Sequence, residues 1–325
     1  MGGGRELSDN KPIALVAMGG HAFIQSGEHG TIEDHERNAR SIAAVLMTLV
    51  ERDYRLVITH GNGPQVGHLL LQNEMSKSES PEMPLDVLVA MTEGSLGYVL
   101  QQALLNELRA RAIRRYVVTV VTQVLVDQND PAFKSPTKPI GPFLSRKEAE
   151  DRRDQLGWVI REDAGRRGWR RLVASPKPTR VIQADMICDA SQSGHIVIAG
   201  GGGGIPIKIG DDDAYRGVEA VIDKDLTSAV LASSVGAELL IMLTSVPQVY
   251  TNFGKPDQTA LGAVTLAEIE RIHRDSPFPP GSMGPKIDGI IDFLKKGGRR
   301  ALITNAETLP LAIQGSGGTH LIGKI

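Results

Sequence analysis

Residues 13–20 read IALVAMGG, six apolar residues without alternation followed by two glycines. A run that short, stopped by glycine, predicts a strand buried on both faces, as in a parallel sheet, with a tight turn at its carboxyl end. Over residues 35–52, Ala39, Ile42, Ala43, Leu46, Met47 and Val50 recur at spacings of three and four, which puts one apolar stripe on a helix. A second apolar strand, RLVIT, follows at residues 55–59. Strand, helix, strand with short joints is a βαβ unit, right-handed in nearly every known case, and it sets the fold class as α/β around a mostly parallel sheet.

The pattern continues downstream. Residues 87–112 read as helix, 116–126 (YVVTVVTQVLV) as a strand or strand pair, and 195–199 (HIVIA) as a strand. A helix begins near Leu226, 238–243 (ELLIML) is a strand, helices fall near 265–274 and 284–296, and 300–304 is a strand. Residues 127–180 interrupt it with Pro131, Pro136, Pro139, Pro142, Pro176 and Pro178, both tryptophans, Trp158 and Trp169, and many charges. This long irregular stretch is expected to form a protruding subdomain or lid.

With 325 residues there is ample chain for a large core, and 36 Lys+Arg against 38 Asp+Glu leave a net charge of −2. Bulk charge therefore gives no case for a nucleic-acid or membrane-surface partner and points to small molecules. A 41% hydrophobic share with only 4% aromatic residues and 36 glycines suggests an aliphatic core with many special backbone positions. Cys188 is the only cysteine, which excludes intrachain disulfides and multi-cysteine zinc sites and fits a reducing compartment. It reads as a small buried hydrophobe, having no local histidine partner. No apolar run reaches the ~18 residues of a membrane span. Residues 1–11, MGGGRELSDNK, lack an apolar signal core and read as a flexible leader, so a cytoplasmic protein is expected.

Three glycine-rich turns follow apolar strands: Gly19-Gly20, His60-Gly61-Asn62-Gly63, and the run at 200–204. Each alone is compatible with a simple tight turn. Three at one edge of a parallel sheet would bring backbone N–H groups around a polyanion. Neither GxxxxGK[ST] nor GxGxxG after a strand occurs, so phosphate would be handled by another arrangement. Three lysines sit in stiff or glycine-bearing settings: Lys138 in SPTKPIGP, Lys224 in VIDKDL and Lys286 in GSMGPK. Phosphoryl transfer between two anions needs such fixed cations, because positioning and charge neutralisation supply nearly all the catalysis. Asp223 and Asp225 flank Lys224 before an apolar helical run, where they can cap the helix, and Asp225 can also hold lysine side chains in place. The acidic run at 211–213 reads as a solvated loop.

Several long strings carry a resemblance: THGNGPQVG (59–67), VDQNDPAFKSPTKPIGPF (126–143), REDAGRRGWRR (161–171), SPKP (175–178), GGGGIPI (201–207), GVEAVIDKD (217–225) and GSMGPK (281–286). Together they resemble the carbamate kinases of the amino acid kinase family, from about residue 12 to the end. The resemblance implies a three-layer αβα sandwich around a mostly parallel sheet, with 127–180 as the protruding subdomain. It implies a substrate half at 12–200, a nucleotide half at 201–325, and a homodimer. The implied reaction is reversible phosphoryl transfer between ATP and carbamate, with ATP or ADP and Mg²⁺ carried on the nucleotide phosphates, and carbamoyl phosphate as the other substrate. Position by position, Gly19, Gly20, Gly61 and Gly63 would line the transferred phosphoryl, with Asn62 shaping its turn. Lys138 would reach carbamoyl phosphate, Lys224 the transferred group, and Asp225 would orient the lysines. Lys286 would meet the nucleotide phosphates, with Gly202, Gly203, Thr244, Val249, Tyr250, Met283 and Gly284 also near the nucleotide.

Three positions depart from the family pattern: His21 where it has asparagine, one extra arginine at 166–167, and Ala174 in place of proline. His21 can still donate a hydrogen bond, but it is bulkier and titrates near neutral pH. A kinase of a different small acid and a non-catalytic nucleotide sensor are the alternatives; retention of Lys138, Lys224, Lys286 and Asp225 argues against the sensor.

Overall fold

The computed structural model describes residues 11–19, 22–25, 27–163 and 165–323; residues 1–10 of the 1–11 leader, Gly20 and His21 lie outside the described residues. The chain begins β1 (Ile13–Met18), α1 (Ile32–Val50), β2 (Arg55–His60), α2 (Gly63–Ser76), α3 (Leu85–Ala110), β3 (Val117–Thr119) and β4 (Gln123–Val126). It continues β5 (Lys138–Leu144), α4 (Arg146–Leu156), β6 (Val159–Glu162), β7 (Trp169–Val173), β8 (Pro178–Val181), α5 (Ala184–Gln192), β9 (Ile196–Ile198), β10 (Ile205–Ile209) and β11 (Tyr215–Gly217). Then come α6 (Lys224–Ser234), β12 (Leu239–Leu243), β13 (Val249–Thr251), β14 (Thr259–Leu261), β15 (Ala263–Thr265) and α7 (Leu266–Asp275). The last elements are α8 (Met283–Lys295), β16 (Arg300–Thr304), α9 (Leu309–Ala312) and β17 (Thr319–Ile322).

All six residues of β1 are buried, as its unbroken apolar run requires. Because side chains alternate along a strand, Leu15 and Ala17 face one core shared with α5, α6, α7 and α8, while Ala14, Val16 and Met18 face another shared with α1, α3 and α9. The sheet between them has eight strands in the order β15-β17-β16-β12-β1-β2-β9-β3. Every pairing in it is parallel except β16 with β17. This is the three-layer αβα sandwich. Thr31 caps α1 and forms a capping box with Asp34, which starts the helix just ahead of its apolar stripe.

One sequence expectation is corrected. Residues 127–180 are not irregular: β5, β7 and β6 form an antiparallel three-stranded sheet alongside α4, and β8 pairs with β4 in a separate sheet of order β11-β10-β4-β8. Arginine–aromatic stacking holds the small sheet together: Arg171 lies 4.8 Å from the Trp158 ring centre and Arg167 4.6 Å from that of Phe143. Pro139 and Pro142 are tolerated because β5 is an edge strand. Near the arginine pair, the β6–β7 turn closes through Asp163 N–H to Gly168 O at 2.8 Å, with Arg166 in the left-handed region at φ 55°. The 116–126 run is a strand pair, as one of its two readings had it: β3 lies at the edge of the main sheet and β4 in the second sheet. Cys188 is half-buried against the core, and its Sγ lies 3.7 Å from Val235 O.

Candidate active site

β12, β1, β2 and β9 are neighbouring parallel strands, so the segments after them share one sheet edge. Gly19, the turn at 61–63, the turn at 200–204 and Thr244 therefore meet there, as the carboxyl ends of an open sheet favour. The Gly61 N–H donates to Met18 O at 3.0 Å, tying the first two turns together. α2 starts at Gly63 with Pro64 in its first turn, which points its helix N-terminus at the same edge.

Asn62 is buried, and its Nδ2 donates to Thr92 Oγ1 at 2.8 Å. A carbon added to Gly202 would stand 2.1 Å from that Nδ2, and Gly202 has φ +67°, so only glycine fits there. Asn62 thus locks the second turn against the third.

The charged centre is built on α6. Asp223 is its N-cap and accepts the Asp225 N–H at 3.0 Å, while its other oxygen takes the Lys138 ammonium at 2.5 Å. Asp225, 4% exposed, holds Lys224 at 2.5 Å on Oδ1 and Lys286 at 2.9 Å on Oδ2. Lys286 also donates to Ser282 O at 3.3 Å. It reaches Asp225 because α8 packs tightly on α6: a side-chain carbon on Gly289 would lie 2.9 Å from Asp225 O. Thr59 Oγ1 and Ser228 Oγ share a 2.6 Å hydrogen bond, and Ser228 Oγ donates to Lys224 O at 2.6 Å, fastening β2 to the first turn of α6. Thr227 Oγ1 donates to Gly203 O at 2.7 Å, which fixes the third turn to the same helix.

Burial opposes ionisation of Asp225, yet Lys224 and Lys286 outweigh it and hold the carboxyl at about 2. Burial pushes the Lys224 ammonium below the usual lysine range, partly offset by Asp225 and reinforced by Lys286. Three lysines against two aspartates leave one positive charge in excess, at the sheet edge where the glycine turns meet. Such a centre suits phosphate oxygens. Among the described residues no three His, Cys, Asp or Glu side chains gather as metal ligands.

Of the residues predicted near the nucleotide, Val249 is buried in the core and its N–H donates to Thr319 Oγ1 at 2.9 Å. Tyr250 is half-buried against Phe253, with ring centres 5.8 Å apart. Met283 and Gly284 open α8, one turn from Lys286. Gly20 and His21 lie outside the described residues. Sequence reasoning treated Asp223 as a helix cap and missed that it also holds Lys138; the signal was its place in VIDKD, one residue before Lys224. His60 and Glu93, both buried beside the third turn, were missed as well.

The sequence profile of the amino acid kinase family matches residues 12–305. The chain belongs to the amino acid kinase family. Within that family, a carbamate kinase from Thermococcus kodakarensis is 45% identical over 311 residues, covering 95% of this chain and 98% of the relative. The solved Giardia lamblia carbamate kinase bound to citric acid superposes with a TM-score of 0.91 at 38% identity, covering 97% of this chain and 99% of that one. The same Giardia enzyme bound to AMP-PNP gives 0.89 at 39% identity, covering 97% and 99%.

Proposed function

We propose that this amino acid kinase moves a phosphoryl group reversibly between ATP and carbamate, with carbamoyl phosphate and MgADP giving ATP and carbamate. The observation that carries this is Asp225 gripping Lys224 and Lys286 where three glycine turns meet, in a chain whose carbamate kinase relatives match nearly end to end. Transfer is in line, with no covalent enzyme intermediate. The amides of Gly19 and Gly63 together with Lys224 neutralise the equatorial oxygens, the Gly61 amide instead donates to Met18 O and shapes its turn, and Asp225 keeps the lysines aimed. Lys286, Gly202, Gly203, Thr244, Tyr250, Met283 and Gly284 form the nucleotide side, in the half from 201 onward, with Val249 supporting them from the core. The cationic donor set fits phosphate oxygens, and Mg²⁺ would be held by the nucleotide phosphates and would offset their charge there.

Lys138 comes from the first residue of β5 in the small sheet, and serves the carbamoyl phosphate end. Lys138→Ala is expected to raise the KM for carbamoyl phosphate about tenfold, or ~1.4 kcal/mol, with a smaller change in the KM for MgADP; initial rates with each substrate varied check this. The function itself is tested by ATP formation from carbamoyl phosphate and MgADP between about pH 6 and 9. ATP absent from a protein that still binds MgADP would send the search to other carboxylate or carbamate acceptors.

We read the molecule as a homodimer. Val87, Met91, Tyr98 and Leu105 are all exposed on α3 and fall at spacings of four and seven, an apolar stripe on one helix face that a second copy would cover. Tyr98→Asp is expected to shift the sedimentation coefficient to that of a monomer at micromolar concentration.

A further inference from the structure

Glu93 lies in the third turn of α3 and is 1% exposed. Its Oε2 accepts the Thr122 N–H at 2.8 Å, and the Gly201 N–H also faces the carboxyl. Oε1 is buried with no hydrogen-bond partner among the described residues. Thr122 in turn accepts the Gly200 N–H on Oγ1 at 2.8 Å, so one carboxyl reaches the 200–204 turn along two routes. A carbon added to Gly201 would stand 3.0 Å from Glu93 Cγ and 2.7 Å from both Cε1 and Nε2 of His60. Glu93 and His60 therefore clamp this glycine from two sides.

We propose that Glu93 is a positioning residue for phosphoryl transfer: its carboxyl ties Thr122 to the 200–204 turn, and only the uncharged acid holds that turn in a form that accepts nucleotide phosphates. This rests on reading the turn as part of the phosphate site. Ionisation would bury a full charge on a carboxyl whose Oε1 has no donor, more than the Thr122 and Gly201 N–H groups on it offset, and would set that negative charge beside a turn that receives anionic phosphates. No charged side chain from α1, α2, β3 or β10, the elements packed on α3, acts on the carboxyl to compensate. The titratable neighbour is His60, and burial holds its imidazole neutral, at about 4. Burial likewise raises the Glu93 carboxyl well above the ordinary glutamate range.

The test is the KM for MgADP and the kcat of wild type, Glu93→Gln and Glu93→Ala from about pH 6 to 10. Glutamine keeps an oxygen for the Thr122 N–H and has no proton to lose. The wild-type KM is expected to rise about tenfold per pH unit once the carboxyl ionises, whereas Glu93→Gln stays flat and restores what Glu93→Ala loses. Loss of the Lys224 proton also shapes the alkaline limb, but it acts on kcat in wild type and Glu93→Gln alike. Thermal melts supply a readout apart from activity. The folded acid keeps its proton while the unfolded chain loses it above about 4.5, so the stability of Glu93→Gln should gain on wild type as pH rises. Parallel KM profiles for wild type and Glu93→Gln, or a folded but inactive Glu93→Gln at pH 7, would overturn the proposal. Failure of wild type to make ATP at any pH would overturn the functional reading instead.

Discussion

Lys224→Ala is expected to lower kcat for ATP formation by about a thousandfold or more while the protein remains folded. The ammonium sits 2.5 Å from Asp225 at the first residue of α6, which places it at the sheet edge where the glycine turns meet. A fixed cation there meets charge on the phosphoryl group as it passes between the two anions, and alanine supplies nothing in its place. The fold should not suffer. Burial and Lys286 loosen the Lys224 proton while Lys224 helps keep Asp225 ionised, so the two effects on folding oppose each other. Its removal still leaves Asp225 paired with Lys286 at 2.9 Å. Melting temperature should move little and circular dichroism should match that of wild type while turnover disappears. A folded variant within tenfold of the wild-type rate would remove Lys224 from the mechanism.

The physical origin of this centre explains how much of it could be read from sequence. Strands buried on both faces cannot alternate, so β1 and β2 stand out as apolar runs, and the stripe of α1 between them marks the crossover. The glycine turns were visible for the same reason: each interrupts such a run. Their convergence was less visible. β9 is separated from β2 by more than a hundred residues of sequence, and only strand order makes them neighbours. The small sheet was hidden because its strands are short and charged and gain their cohesion from Arg171 on Trp158 and Arg167 on Phe143, a pattern without period two. Asp223 looked like a cap because it is one; its second oxygen is engaged by a lysine 85 residues away. Glu93 gave no sign at all, since an acid on a long helix ordinarily faces water, and here the close approach permitted by Gly201 turns it inward.

Asp225→Asn carries the second large effect, and it divides stability from catalysis. Asparagine keeps the shape of the carboxylate and discards its charge, leaving Lys224 and Lys286, with side chains each 11% exposed, as two like charges sharing one neutral amide. Removing one partner of a buried ion pair costs about 3 kcal/mol or more. The pH dependence gives the sign. The Asp225 carboxyl is held at about 2 against an ordinary aspartate value of 3.8, so its contribution of about 2 kcal/mol is complete above the unfolded value and is lost as pH falls through the folded one. Urea titrations should therefore show a constant gap between wild type and Asp225→Asn from about pH 5 to 8 that narrows below about pH 4. At alkaline pH the gap should narrow again, because without the carboxylate one of the two lysines sheds its proton more readily and the repulsion ends. The kcat should fall about a hundredfold or more at every pH, since neither lysine is then aimed. A gap that persists unchanged to pH 3 would mean that the lysines are held by something other than the charge of Asp225, and the centre would have to be rebuilt around Asp223 and Lys138.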